Sequence, residues 1–182
     1  WVYLSLHSTY GILWLLKDRL FPDKRWEEEI SWYFGIGTFF LVSLYWVAPL
    51  ILISSRVEPP PPLIAAAITI NILGVFLHYG SDTQKYYTLK YQSGLVTEGF
   101  FARCRNTNYL GEVLIYSAFA MLTMHWLPFV ILGAFIAGIF IPNMLRKDRS
   151  LSRYSEFEAY QANSGLLFPK LYSTNQAVEE SV

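Results

Sequence analysis

The chain has 182 residues, of which 53% are apolar and 15% charged, and its 14 basic residues are balanced by 14 acidic ones. A zero net charge argues against a nucleic-acid-binding protein, because phosphate neutralisation needs an excess of cations on one face. The single cysteine excludes an internal disulfide and a thiolate metal cluster. The charges are concentrated in short segments, and residues 30–53, 63–79 and 113–141 contain none. Uncharged runs of this length are typical of membrane spans.

We predict an all-α, polytopic membrane protein with about five transmembrane helices. The first span is short, and since the chain begins at Trp1 without an initiator methionine, we expect it to be part of a longer protein. The run at 113–141 is too long for one crossing and is interrupted at Pro128, so it is expected to form two spans. The prolines at 59–62 are expected to form a stiff, extended connection. The predicted helices of this single membrane domain lie at about 2–16, 30–53, 63–79, 109–124 and 128–145, followed by a polar tail at 146–182.

The distribution of cations supports this topology. With five spans, 13 of the 14 lysines and arginines lie on one side of the membrane, and only Arg56 lies on the other. This asymmetry is the positive-inside pattern, which places the basic loops and the C-terminal tail on the cytoplasmic or matrix-like side. The chain is therefore predicted to be a multi-pass integral membrane protein of the endoplasmic reticulum, the mitochondrial inner membrane or a bacterial inner membrane.

Polar side chains follow one face of the third span. Asn71, His78, Asp82 and Lys85 are spaced by 7, 4 and 3 residues, which places them within an arc of about 60° on a helix. Two interpretations remain open, since such a stripe is either a hydrogen-bonded seam between helices or one wall of a cavity reached from the basic side.

The segment before the fourth span combines cations, amides and an acidic residue. Asn108 is expected to cap the helix that follows it. Glu112 enters the membrane one turn later, where a carboxylate needs a partner, and Arg103 and Arg105 are the nearest cations. Taken singly, the two arginines could simply extend to the interface. Together with Asn106, these residues predict a buried polar network.

The two polar helix faces predict a pocket on the basic side. Glu112, Tyr116 and Thr123 share one face of the fourth span. Because the basic loop joins this face to the stripe on the third span, we expect a pocket suited to an anionic ligand that carries phosphate. On the first span, Tyr10 lies one turn from His7 and is either a proton donor to a lipid carbonyl or a tyrosine in a helix interface. No His/Glu pair has metal-ligand spacing, so no metal site is expected.

Several short motifs carry a resemblance to a known family. They are SDTQK at 81–85, GL at 94–95, GFF at 99–101, RNTNYLGE at 105–112, SLSRY at 150–154, FEAY at 157–160 and LFP at 167–169. Over about residues 63–172 the chain resembles the C-terminal domain of the steroid 5-alpha-reductase family. The same superfamily contains the sterol C14 reductases and the isoprenylcysteine and phospholipid methyltransferases.

The resemblance implies an NADPH-dependent reductase of the membrane, acting on a double bond conjugated to a ketone in a steroid-like or isoprenoid-like lipid. Membrane lipids and the lipid substrate are the implied partners. Tyr10, which would polarise the ketone, and Glu112 are the implied catalytic residues. The implied cofactor-binding residues are Asp82, Lys85, Arg103, Arg105, Asn106, Asn108, Tyr109, Arg146 and Tyr160.

Two alternatives remain open on the same scaffold. One is a methyltransferase of lipids or prenyl-cysteine that uses S-adenosylmethionine, although the paired glutamates typical of the methyltransferase tail are replaced by Lys147, Asp148 and Arg149. The other is a catalytically silent, structural subunit that binds other membrane-protein subunits in a larger complex. Thr107, which stands where most relatives have proline, is compatible with this second alternative.

Overall fold

A computed structural model describes residues 1–23 and 28–172, and the regular structure of these residues is helical. This confirms the predicted all-α class. Most of the described residues belong to six helices. They are α1 Val2–Leu20, α2 Trp32–Ser54, α3 Pro61–Tyr91, α4 Thr107–Leu122, α5 Leu127–Leu151 and α6 Phe157–Asn163.

Within the described residues, three helices are long and apolar enough to cross a membrane, namely α2, α3 and α5. They coincide with the second, third and fifth predicted spans, which supports a multi-pass membrane protein. The first and fourth predicted spans coincide with α1 and α4. Helix α4 has 16 residues and is about 24 Å long at 1.5 Å per residue, shorter than a hydrocarbon core of about 30 Å. Five spans therefore remain a prediction.

Helix α3 is longer than the predicted span at both ends. It begins at Pro61, so the expectation of an extended segment through residue 62 was wrong. Proline is tolerated in the first helical turn because the N–H that it lacks has no partner there. At the other end the helix continues past Tyr79 to Tyr91. The charged residues that end an apolar span thus do not end the helix itself.

Proline also explains the irregular turns inside α2 and α5. A 3₁₀ turn at Leu44–Trp46 precedes Pro49, and a π turn at Ile136–Phe140 precedes Pro142. Each proline removes one hydrogen bond and pushes on the carbonyl four residues earlier, so the preceding turn changes its pitch. Both helices continue through these turns.

The chain folds as two compact units. The first comprises Trp1–Leu73 and Val113–Phe135. Its core contains Ala67, Ala118 and Leu122, against which partly buried residues of α1 pack. Alanine at two of these positions allows the helices to approach closely, as is usual for helices in membranes.

The second unit comprises Gly74–Glu112 and 136–182, of which residues 136–172 are described. Within it, Gly111 of α4 lies against the backbone of α3. A Cβ atom at this position would be 2.5 Å from the nitrogen of His78 and 2.6 Å from the carbonyl oxygen of Gly74. Only glycine permits this contact, which brings the start of α4 against the polar stripe of α3.

Candidate functional site

A histidine in the second unit lies between two carboxylates. His78 Nε2 is 3.9 Å from Asp82 Oδ2, one turn along α3, and Nδ1 is 3.6 Å from Glu112 Oε1 on α4. His78 Nδ1 also lies 3.2 Å from the carbonyl oxygen of Asn108. The histidine is buried, whereas the side chain of Glu112 is 24% exposed. We call His78, Asp82 and Glu112 the histidine cluster.

The acceptors around His78 define where its proton resides. A backbone carbonyl can only accept a hydrogen bond, so Nδ1 donates to Asn108 and carries a proton. Nε2 faces the Asp82 carboxylate. His78 is therefore a buried imidazole that is held by the Asn108 carbonyl and lies between two carboxylates.

Arg105 is held by an acidic residue of α5 and by the segment after α6. Its Nη2 lies 3.0 Å from Asp148 Oδ2, and its Nε donates to the same oxygen at 3.1 Å. Its Nη1 donates to the carbonyl oxygen of Ser164. Arg105 and Asp148 are both buried. The guanidinium is thus occupied by partners from within the unit.

The backbone around Arg105 pairs with the segment that follows α6. Arg105 N donates to the Gly165 oxygen at 2.9 Å, and Gly165 N donates to the Arg103 oxygen at 2.9 Å. Asn106 Nδ2 donates to Leu166 O at 2.9 Å, and Cys104 Sγ lies 3.1 Å from Leu167 O. These hydrogen bonds hold the loop before α4 against the segment after α6.

Lys147 and Tyr160 complete this network. Lys147 Nζ donates to the Arg105 carbonyl oxygen at 2.7 Å and to Asn106 Oδ1 at 3.1 Å, and it lies 5.5 Å from the centre of the Phe101 ring. The Tyr160 hydroxyl donates to the Phe101 carbonyl oxygen at 2.8 Å. Burial raises the pKa of the Tyr160 phenol, so the hydroxyl remains a neutral donor.

A cleft of about 70 Å³ opens beside these residues. Two lysines and one arginine line it, together with a neutral phenol, and most of its remaining wall is apolar. Its lining includes Lys85, Leu95, Phe101, Arg105, Lys147 and Tyr160. A small, largely apolar cleft with a few cations is suited to part of an anionic organic molecule.

A family model described as a protein of unknown function (DUF1295) matches residues 12–164, most of the chain. The chain belongs to the DUF1295 family. DUF1295 is a membrane family similar to the steroid 5-alpha-reductases, which supports the predicted resemblance at the level of the family. Comparison with curated proteins and with solved structures gave no match.

Most of the predicted site residues lie in the second unit of this DUF1295 member. Lys85, Arg105 and Tyr160 line the cleft. Asn106 joins the surrounding network, and Asp82 belongs to the histidine cluster.

The other predicted residues are more dispersed. Arg103 and Arg146 are exposed, although the Arg103 carbonyl pairs with the tail. The Tyr109 ring lies 4.9 Å from that of Phe140. Tyr10 is buried in the first unit, where its ring lies 6.1 Å from that of Tyr116 in an edge-to-face contact.

Two predicted contacts were wrong. Asn108 was expected to cap α4, but the helix begins at Thr107 and Asn108 lies inside its first turn. Glu112 was expected to pair with Arg103 or Arg105. In the structure it lies beside His78, because the close contact at Gly111 brings α4 against α3. Arg105 precedes α4 and points its guanidinium to Asp148 instead.

Sequence reasoning missed three residues of the network, namely Lys147, Asp148 and Ser164. Asp148 had a detectable signal, because it is an acidic residue in a basic segment and lies one turn from the buried Met144. That spacing indicates a face of α5 that packs inward. Ser164 carried no such signal, since its role depends on the pairing of the tail with a loop about 60 residues earlier.

Proposed function

We propose that this protein is an integral-membrane reductase that uses NADPH to reduce a double bond conjugated to a ketone in a steroid-like or isoprenoid-like lipid. Membership of a family similar to the steroid 5-alpha-reductases supports this proposal. The observation that carries it is the cleft of the second unit, in which two lysine ammonium groups lie among apolar side chains. NADPH combines phosphates with planar rings, and the cleft offers complementary groups for both.

The residues of the cleft fit the phosphate-bearing end of such a cofactor. Lys85 lines the cleft, and Lys147 has three N–H donors, of which two are directed to the Arg105 oxygen and Asn106. We assign phosphate binding to these two lysines. Arg105 would contribute positive charge but few donors, because Asp148 and Ser164 hold its guanidinium.

The remaining groups would shape the environment of the bound cofactor, which supplies hydride. Leu95 and Phe101 give the cleft an apolar lining, which would strengthen the electrostatic interactions of a bound cofactor by displacing water. Tyr160, held neutral by burial, adds no negative charge that would repel a phosphate. His78 between Asp82 and Glu112 would hold a proton, and Glu112 remains the proposed catalytic residue of this unit.

We further propose five membrane passes formed by α1 to α5. The support is the 13 to 1 distribution of cations, which any other number of passes would disturb. The cleft residues Lys85 and Lys147 belong to the basic segments. They would therefore lie on the cytoplasmic or matrix-like side, where NADPH is available.

A binding experiment tests the cofactor. The purified chain in detergent should bind NADPH, and Lys85→Gln should weaken binding about tenfold to a hundredfold, the effect of one charge-assisted hydrogen bond. Lys90→Gln is the matched control, because Lys90 lies on the same helix but is exposed and contacts tyrosine rings instead. Equal losses in the two variants, or no binding to the unmodified chain, would refute the assignment.

S-adenosylmethionine belongs in the same experiment as a competing ligand. A ligand that binds the folded state raises the melting temperature by an amount that grows with the ratio of its concentration to its Kd. The reductase proposal requires NADPH, but not S-adenosylmethionine, to stabilise the protein. The opposite result would favour the methyltransferase alternative. Oxidation of NADPH in the presence of an α,β-unsaturated ketone, lost on Glu112→Gln, would then establish turnover.

One observation favours a second candidate, a non-catalytic structural subunit. Arg105, Asn106 and Tyr160 were predicted to bind the cofactor, yet each directs its polar groups to bonds within the unit. A network of this kind stabilises a fold whether or not a ligand binds. Co-purification with other membrane subunits, combined with no stabilisation by NADPH, would support this candidate.

A further inference from the structure

The segment that follows α6 forms a short loop that closes on one carbonyl group. Gly165 N and Lys170 N both donate to the Arg103 oxygen, each at 2.9 Å. A Cβ atom on Gly165 would overlap the carbonyl oxygen of Phe168, so only glycine permits so tight a loop. The backbone of this segment is therefore held in place. We call residues 165–172 the tail loop.

The tail loop carries three large side chains that the second unit leaves exposed. Phe168 is 66% exposed, Leu171 81% and Tyr172 83%. Phe168 lies within the closed loop, which fixes its backbone, and the other two residues follow the loop directly. Single exposed apolar residues need no explanation, but three within five positions on a restrained segment indicate a surface that another apolar medium covers.

The position of the neighbouring loop along α3 identifies this medium. Phe100, in the loop before α4, packs against α3. Its ring centre lies 5.3 Å from that of Phe76, and a Cβ atom on Gly80 would overlap the same ring. Both α3 residues lie at the end of the uncharged run 63–79, where a helix that spans a membrane leaves the hydrocarbon core. The loop before α4 therefore lies at the membrane boundary.

The tail loop lies beside this boundary loop. It closes on Arg103, three residues after Phe100, and its Leu167 oxygen lies 3.1 Å from Cys104 Sγ. The side chain of Arg103 is exposed and brings a positive charge that complements a lipid phosphate. Aromatic and apolar side chains next to a cation are typical of segments in the headgroup layer of a membrane.

We propose that the tail loop is an interfacial anchor whose partner is phospholipid. Phe168, Leu171 and Tyr172 enter the boundary between headgroups and acyl chains, and Arg103 binds a lipid phosphate. The anchor acts on the rest of the unit through the hydrogen bonds that join the tail loop to the loop before α4. It is independent of the reductase proposal, because it requires neither the cofactor nor the substrate.

Spin labelling in phospholipid vesicles tests the anchor. The chain has a single cysteine, Cys104, which is buried, so a cysteine added at the surface can be labelled selectively. In vesicles of phosphatidylcholine with phosphatidylglycerol, a label on Leu171→Cys of the full chain should collide more often with oxygen, which concentrates among acyl chains, than with a water-soluble nickel complex. A label on Tyr172→Cys should give the same result.

A label beyond the end of α3 is the matched control. Ser93 is exposed and follows the helix end at Tyr91, which lies about 18 Å beyond Tyr79 at 1.5 Å per residue. The nickel complex should reach a label on Ser93→Cys freely. We expect the ratio of oxygen collisions to nickel collisions to be several-fold higher at Leu171→Cys than at this control.

A second substitution tests the contribution of Phe168. Added to the labelled Leu171→Cys chain, Phe168→Ser should lower the collision ratio towards the value at Ser93, because the loop loses its largest apolar side chain. Tyr91→Ser removes an equally exposed aromatic ring from the end of α3 and should leave the ratio unchanged. A ratio that Phe168→Ser does not lower would contradict the anchor.

Two further results would overturn the proposal. Free access of the nickel complex to the label at Leu171 would place the tail loop in water. Shielding of this label from both reagents would show that protein, such as a second copy of this chain, covers the loop instead of lipid. Both are measured with Phe168 intact, so they decide the matter even if Phe168→Ser does not fold.

Discussion

Arg105 and Asp148 form a buried ion pair in which Nη2 and Oδ2 are 3.0 Å apart. The two residues are far apart in the sequence, on the loop before α4 and near the end of α5. Their pairing, together with the bond from Arg105 to Ser164, ties three separate segments of the second unit together. A charge in this position is costly to bury, so the unit depends on all of its partners being present.

Removal of one partner should therefore destabilise the protein strongly. Asp148→Asn leaves the guanidinium buried without a carboxylate, and we expect a loss of about 3–5 kcal/mol in the free energy of unfolding. Denaturant unfolding followed by circular dichroism measures it. Arg103→Gln is the control, because that exposed side chain should contribute less than about 0.5 kcal/mol. Similar losses in both variants would show that the buried ion pair contributes no more to stability than an exposed arginine does.

Gly111→Ala should disrupt the contact between α4 and α3. The added methyl group would overlap the backbone of His78 and Gly74, neither of which can move independently of its helix. We expect a loss of about 1–3 kcal/mol, in the range of overpacked interiors. Gly133→Ala on α5 meets no atom within 4 Å and should be neutral or stabilise the protein by up to about 1 kcal/mol. A melting temperature that is unchanged by Gly111→Ala would contradict the close packing.

Tyr160 should make stability fall at alkaline pH. Since burial raises the pKa of the folded-state phenol, the unfolded chain loses this proton first, at its ordinary value of about 10. The contribution of Tyr160 is therefore complete below about pH 10 and is lost as the pH rises further. Tyr160→Phe should cost about 1 kcal/mol at pH 7 through the lost bond to Phe101. Its unfolding free energy should then decline less steeply above pH 10 than that of the unmodified protein.

The hydroxyl of Thr107 stabilises the turn that precedes α4. Its hydroxyl is buried and lies 2.5 Å from the Phe100 carbonyl oxygen and 3.1 Å from that of Cys104. Thr107→Val keeps the shape and removes the donor, so we expect a loss of about 1–2 kcal/mol. Thr107→Ser retains the hydroxyl, so this variant should keep most of the stability that Thr107→Val loses. If valine and serine variants melt at the same temperature, the hydroxyl does not stabilise this turn.

The sequence predicts the helices of this protein better than their contacts. The uncharged runs locate α2, α3 and α5 because burial in lipid imposes a local constraint on composition. Partners of charged groups have no local signature. Glu112 lies 7 residues from Arg105 and 34 from His78 in the sequence, yet the glycine contact at Gly111 places it beside the histidine.

The residues of the candidate site were likewise predictable from motifs but not from their contacts. Lys85 and Tyr160 were predicted from motifs, and both line the cleft. Lys147 was not predicted as a site residue, because its position depends on how the end of α5 packs under the loop that carries Asn106.

The pairing of Arg103 and Arg105 with Gly165 has a consequence for biosynthesis. While the ribosome is still producing α5, the loop before α4 has neither its backbone partners nor the Ser164 oxygen that holds Arg105. The second unit therefore reaches its final form only after residues 164–170 have been synthesised. Truncations that end before this segment should yield chains that insert their apolar helices and are then degraded as incompletely folded.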